Sequence, residues 1–189
     1  MTKTEQLNQL FEKWENKTPD YQGKFIKDGI NNESLFLKAK TKTLFLTKEP
    51  NNPKQEAGDF REWWKEGLKY TFSHRLAEWC YGILNDFPEF ESMWHDKEGF
   101  KNAIFHVAFM NVKKIGGVGQ SNYSEMEKHL LQNKEWLLKQ IEIIEPDIIV
   151  TGLTWGKLRN KLFDTVEWKS SGYNICLLYT SPSPRDRQK

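Results

Sequence analysis

Three short, almost wholly apolar runs stand out along the chain: residues 43–47 (TLFLT), 104–112 (IFHVAFMNV) and 148–150 (IIV). Each is too short for a stable helix, and continuous apolar character predicts strands buried on both faces, as in a parallel sheet. The segments around them carry helical spacing. Residues 4–17 place Leu7, Leu10, Phe11 and Trp14 on one face, and Pro19 follows. Residues 59–68 read as a helix with Asp59 as its N-cap. Residues 73–84 place Leu76, Trp79, Cys80 and Ile83 on a buried face. A short helix is expected over 97–103.

The strongest helical pattern begins at Ser124, with Glu127 three residues on as a capping box. Its expected buried face is Leu130, Leu131, Leu137, Leu138, Ile141 and Ile144, and Pro146 ends it. A further helix is expected over 154–163, with edge or final strands at 166–168 and 173–175. Residues 21–40 show no clear period, although Asn31-Asn32 marks a turn. Strands alternating with helices predict an α/β fold: a three-layer α/β/α sandwich with a mostly parallel central sheet.

In such sheets ligands bind outside the carboxyl ends of the strands. Three polar segments occupy those ends: Lys48-Glu49-Pro50-Asn51, Asn111 to Lys114, and Thr151-Gly152. Glu49, held by Pro50 just past a buried strand, is placed for a general base or an ion-stabilising charge, or it is a solvated loop carboxylate beside Lys48. Asn111 offers a donor and an acceptor on one amide, which suits a pyrimidine edge, or it caps the next turn. Lys113 and Lys114, with Gly116, Gly117 and Gly119, could approach a phosphate backbone, or form an ordinary surface loop. The loop is not a P-loop, since it lacks GxxxxGK[ST]. His106 lies in an apolar run and reads as a core residue. His74, His95 and His129 show no metal-ligand spacing. Of the Trp63-Trp64 pair, one ring is expected in the core and the other could stack on a base.

Residues 176–189 (CLLYTSPSPRDRQK) change how composition is read. One choice of codons for the first eleven of them resembles a transposon end and sequencing adapter, and the last three fit a sample index, so they are expected to be non-native, with residues 1–175 a single truncated domain. The whole chain has 28 Lys+Arg and 26 Asp+Glu. The tail holds Arg185, Arg187, Lys189 and Asp186, so 25 of each sign remain without it. No whole-molecule charge argument for nucleic acid survives. Cys176 lies in the tail, leaving Cys80 alone. That excludes an intrachain disulfide and a cysteine-ligated iron–sulfur cluster in this stretch. No signal-peptide core or membrane-length apolar run is present. A cytoplasmic monomer without cofactor is expected.

Taken together, the segments from about 42 to 163 resemble the uracil-DNA glycosylase superfamily. The run LFLTKEPN is similar to that superfamily's first motif, with Glu49 where some members carry the water-activating carboxylate. AFMNVKK is similar to the strand whose terminal Asn reads the uracil edge, which here is Asn111. The helix leading into IEPDIIVTG is similar to a third segment. The resemblance implies that Glu49 is catalytic, that Asn111, Pro50 and Asn51 contact the base, and that Lys113, Lys114, Gly116 and Gly117 contact the DNA backbone. DNA carrying uracil or another altered base would be the partner and substrate. Asn51-Asn52 departs from the Tyr-His or Gly of some members, and the superfamily's His-bearing loop would lie beyond Ile175. A non-catalytic nucleic-acid binder of the same fold, or an enzyme acting on a free nucleoside or nucleotide, are the alternatives.

Overall fold

The computed structural model describes residues 1–118, 120–153 and 156–163. The strands expected at 166–168 and 173–175, the tail from 176, Gly119 and the start of the 154–163 helix lie outside these residues. In chain order the elements are α1 (Lys3–Lys17), β1 (Ile26–Lys27), β2 (Gly29–Ile30), α2 (Glu33–Lys38), β3 (Thr43–Thr47), β4 (Gly58–Asp59) and α3 (Phe60–Trp63). They continue with α4 (Thr71–Leu84), α5 (Phe90–His95), α6 (Lys97–Asn102), β5 (Ala108–Asn111), α7 (Tyr123–Ile144), β6 (Ile148–Thr151) and α8 (Gly156–Leu162).

The period of two along β3 and β5 organises the molecule. Leu44 and Leu46 of β3, with Ala108 and Met110 of β5, turn to one face, where α1, α7 and α8 supply Leu7, Phe11, Trp14, Leu130, Leu137 and Leu158. Phe45 and Phe109 turn to the other, against Trp64, Leu76, Cys80 and Phe100. Helices therefore cover both faces of the sheet. The strand order is β2-β5-β3-β6. β3 runs parallel to both β5 and β6, and β2 is antiparallel to β5. The result is a mixed α/β protein with a mostly parallel sheet. The register sets Thr47 beside Asn111, and Leu46 beside Thr151, so three strands end together. β1 and β4 form a small parallel ladder of their own.

Four expectations are corrected. The run at 104–112 is strand only from Ala108; Ala103–His106 is a 3-10 turn. It continues the right-handed backbone of α6, and the carbonyl of Ile104 accepts from the Asn31 side chain at 2.7 Å rather than from a strand neighbour. His106 is thus a half-buried turn residue, its imidazole pushed down by burial. Asp59 caps a helix as expected, but that helix tightens to 3-10 at Trp64–Glu66 and stops at Gly67, whose φ of 93° suits glycine. The N-cap of α7 is Asn122, which accepts from the backbone N–H of Glu125 at 3.1 Å, so Ser124 lies inside the helix.

The fourth correction concerns which face of α7 is buried. Leu131 and Leu138 are exposed. The buried stripe is Met126, Leu130, Asn133, Leu137, Gln140 and Ile144, with His129 beside it. Steps of four and three residues alternate along it, as for a seam packed against another helix. Here that helix is α1. Polar members reach across the seam: Trp14 Nε1 donates to Asn133 Oδ1 at 2.7 Å, Asn133 Nδ2 lies 3.2 Å from Tyr21 Oη, and His129 Nδ1 lies 3.1 Å from the same hydroxyl.

Candidate functional site

β3, β5 and β6 end at one cleft of about 960 Å³. Glu49, Pro50, Asn51, Asn111 and Gly152 line it, so the three strand-end segments singled out in the sequence converge there. Opposite them α3, α4 and the chain between them contribute Phe60, Trp63, Tyr70, Phe72, Trp79 and Arg75. Of the tryptophan pair, Trp64 is buried in the core and Trp63 lines the cleft, as the sequence led us to expect.

The loops after β3 and β5 stay zipped beyond the sheet. Val112 N donates to Thr47 O at 3.0 Å, Lys113 N to Lys48 O at 2.9 Å, and Gly117 N to Pro50 O at 2.9 Å. Asn52 N returns a bond to Gly117 O at 3.1 Å. This close approach explains the glycines. A Cβ on Gly116 would sit 2.0 Å from Asn52 O, and one on Gly117 would sit 2.3 Å from Glu49 Cδ. Both glycines are buried and serve the contact between two protein loops. They do not offer backbone to a phosphate.

The two lysines are corrected in the same way. Lys113 is 3% exposed and Lys114 0%. Lys113 Nζ pairs with Glu49 Oε2 at 2.9 Å and with Glu125 Oε1. Burial pulls its pKa down, but the hydrogen bonds and charges of Glu125 and Glu49 outweigh that and hold it above the ordinary lysine value. Lys114 Nζ lies 2.6 and 2.7 Å from the two oxygens of Asp28, above the rings of Trp14 and Phe11. There burial outweighs the attraction of Asp28 and the ammonium is pushed down. Neither ammonium reaches solvent, so neither is placed to meet a DNA backbone.

Asn111 is fixed from both ends. Its backbone N–H donates to Asp28 Oδ2 at 2.8 Å, and its side-chain Oδ1 accepts from the Thr47 hydroxyl at 2.7 Å. Among the described residues the amide nitrogen Nδ2 is then left buried with no partner, on a residue that lines the cleft and is 1% exposed. A buried donor without an acceptor costs about 1–3 kcal/mol, and a ligand acceptor in the cleft would relieve it. Glu49 lies at the same cleft with its side chain 8% exposed, held by Lys113.

Asp28 is the site residue that sequence reasoning missed. It accepts from Asn111 N, Lys114 Nζ and Gln140 Nε2, the last at 2.7 Å, and so ties β5 to α7 beneath the cleft. It sits in the stretch 21–40, where no periodic signal exists to mark it. Among the described residues no group of three or more His, Cys, Asp or Glu is placed to hold a metal ion, and no helix is long and apolar enough to cross a membrane. The Cys80 thiol is buried in the core and pushed far up by burial. No protein family, curated protein or solved structure matches the chain.

Proposed function

We propose that the cleft binds a nucleobase and that the protein is a glycosylase of the uracil-DNA glycosylase type, hydrolysing the N-glycosidic bond of uracil or another altered base in DNA. The observation that carries this reading is the buried, unpartnered Nδ2 of Asn111 in a cleft walled by aromatic rings. A planar base fits between such rings, and a ring carbonyl supplies the missing acceptor.

A base must leave the stack to enter a cleft of this kind. As the glycosidic bond breaks, its electron pair moves onto the base and positive charge develops on the sugar. Asn111 Nδ2 then donates to a carbonyl that is gaining negative charge, an interaction stronger in the transition state than in the ground state. Glu49 faces the sugar side as a fixed carboxylate, stabilising the cation and orienting the water that adds to it. The ion pair to Lys113 and the contact with Gly117 hold that carboxylate in place.

The test is release of base from a uracil-containing oligonucleotide by the intact protein. Glu49→Gln should lower the rate by about 100-fold or more with the circular-dichroism spectrum unchanged. Unchanged rates in this variant would remove Glu49 from the mechanism, and no release by the parent protein of either uracil or an N-alkylated base would remove the reading. A second reading is favoured by the burial of Lys113, Lys114, Gly116 and Gly117, which leaves the cleft without the phosphate contacts expected of it. On that reading the substrate is a free nucleoside, and deoxyuridine would be turned over while uracil-containing DNA would not be bound.

A further inference from the structure

Among the described residues six aromatic rings line the cleft, and Tyr70 and Phe72 stand exposed at its rim, at 60% and 46%. Trp63 stacks on Tyr70 at 5.9 Å and 11° between planes. The charges among them are one-sided. Glu49, Glu56, Asp59, Glu62 and Glu66 face two cations, Lys48 and Arg75. Glu49 and Asp59 are answered by the buried Lys113 and Arg61. Among the described residues Glu62 and Glu66 pair with exposed partners one turn away, Lys65 and Lys69, and such pairs screen weakly. Arg75 is itself held by Glu78 at 2.6 Å. The lining therefore keeps a negative bias, beside electron-rich ring faces that attract cations.

Resting on the nucleobase reading above, we propose that the preferred substrate is a cationic base bearing a ring carbonyl, that is, a ring-N-alkylated pyrimidine or purine. Each part of that description answers a feature of the cleft. The carbonyl meets Asn111 Nδ2, the planar ring lies against the aromatic walls, and the positive charge meets the π faces and carboxylates.

The leaving-group chemistry agrees. A neutral base such as uracil departs as an anion, which the negative lining opposes. An alkylated base already carries a positive charge. When the bond to the sugar breaks, the electron pair neutralises the ring and the base departs uncharged. Water adds its oxygen to the sugar carbon and releases one proton to solvent. No co-reactant is needed, and Glu49 has only the sugar cation to stabilise.

Binding of N3-methylcytidine, cytidine and deoxyuridine to the whole protein separates the possibilities, followed by tryptophan fluorescence and calorimetry at low salt. Base release from each is followed by chromatography. N3-methylcytidine and cytidine differ by one methyl group and one charge. We expect the methylated compound to bind about tenfold more tightly and to lose its base, with cytidine inert. Asn111→Ala should weaken both ligands, whereas the exposed-site pair E62Q/E66Q should erase only the preference for the charged one. Equal binding of the two, or a preference for cytidine, would overturn the proposal. Turnover of deoxyuridine or uracil-containing DNA without binding of N3-methylcytidine would overturn it while leaving the glycosylase reading intact. Failure to bind any of the three would remove both.

Discussion

Lys113 and Lys114 are neighbours in the chain, both buried and both paired with carboxylates, yet they do different work. Lys114 points into the core, shares no solvent, and ties Asp28 to the aromatic rings of α1. Lys113 reaches the loop after β3, where it stands between the shielded Glu49 and the half-exposed Glu125. One pair holds the floor of the site together, and the other holds its carboxylate. A strand leaving a sheet turns successive side chains to opposite faces, so two adjacent lysines can hold Asp28 in the core and Glu49 beside the cleft at once.

The comparison is broken most severely at Lys114. Lys114→Met leaves Asp28 charged and unpaired in the interior, and should cost about 3–5 kcal/mol by urea denaturation. The double variant D28N/K114M restores neutrality, keeps an acceptor for Asn111 N–H, and should recover most of that loss. A single-variant cost below about 1 kcal/mol would mean that water reaches the pair. Lys113→Met should cost less, about 1–3 kcal/mol, because Glu125 can turn to solvent and only Glu49 is stranded. Its larger effect should fall on base release, since Glu49 loses the partner that orients it.

Alkaline pH should separate the two lysines by sign. Lys113 has its pKa raised above the ordinary value of 10.5 by folding. Its contribution is therefore complete below about 10.5 and is lost as pH rises through the higher folded value. Lys114 has its pKa lowered. Between that folded value and about 10.5 the unfolded chain binds more protons, so stability tied to this group rises with pH. Measured against the parent protein from pH 8 upward, the deficit of K113M should close while that of K114M widens. Parallel curves would mean that the two ammonium groups share one environment.

Which parts of this were legible in the sequence follows from the range of the interactions. β3 was read to its ends, because a five-residue apolar run bounded by lysines needs no distant information. The convergence of Glu49, Pro50, Asn51 and Asn111 at one cleft was likewise legible, since parallel strands bring their carboxyl ends together. The lysines were not. A Lys-Lys-x-Gly-Gly run looks solvated until Glu49, 64 residues before Lys113, and Asp28, 86 before Lys114, are placed beside it. The polar stripe of α7 failed for the same reason. His129, Asn133 and Gln140 lie on a buried face only because Trp14, Tyr21 and Asp28 arrive from the N-terminal segment with matching groups. Leu131 and Leu138, read as core from hydrophobicity alone, were displaced by them.

Glu125 gives the smallest effect and the finest test of how Lys113 is shared. It occupies the third position of α7, where a carboxylate favours the helix dipole. Its hydrogen bond to Lys113 holds its own pKa below the usual carboxylate value. The stabilisation is present above about pH 4.5 and is lost as pH falls through the lower folded value. Because the side chain is half exposed, solvent screens it, and Glu125→Gln should cost under about 1 kcal/mol, the difference vanishing in acid. The variant also leaves Lys113 to Glu49 alone. If Lys113 serves chiefly to hold Glu49, the proposed base release should persist in E125Q and collapse in K113M. Equal losses in both would mean that the three charges act as one unit, with α7 as much a part of the site as the strand ends.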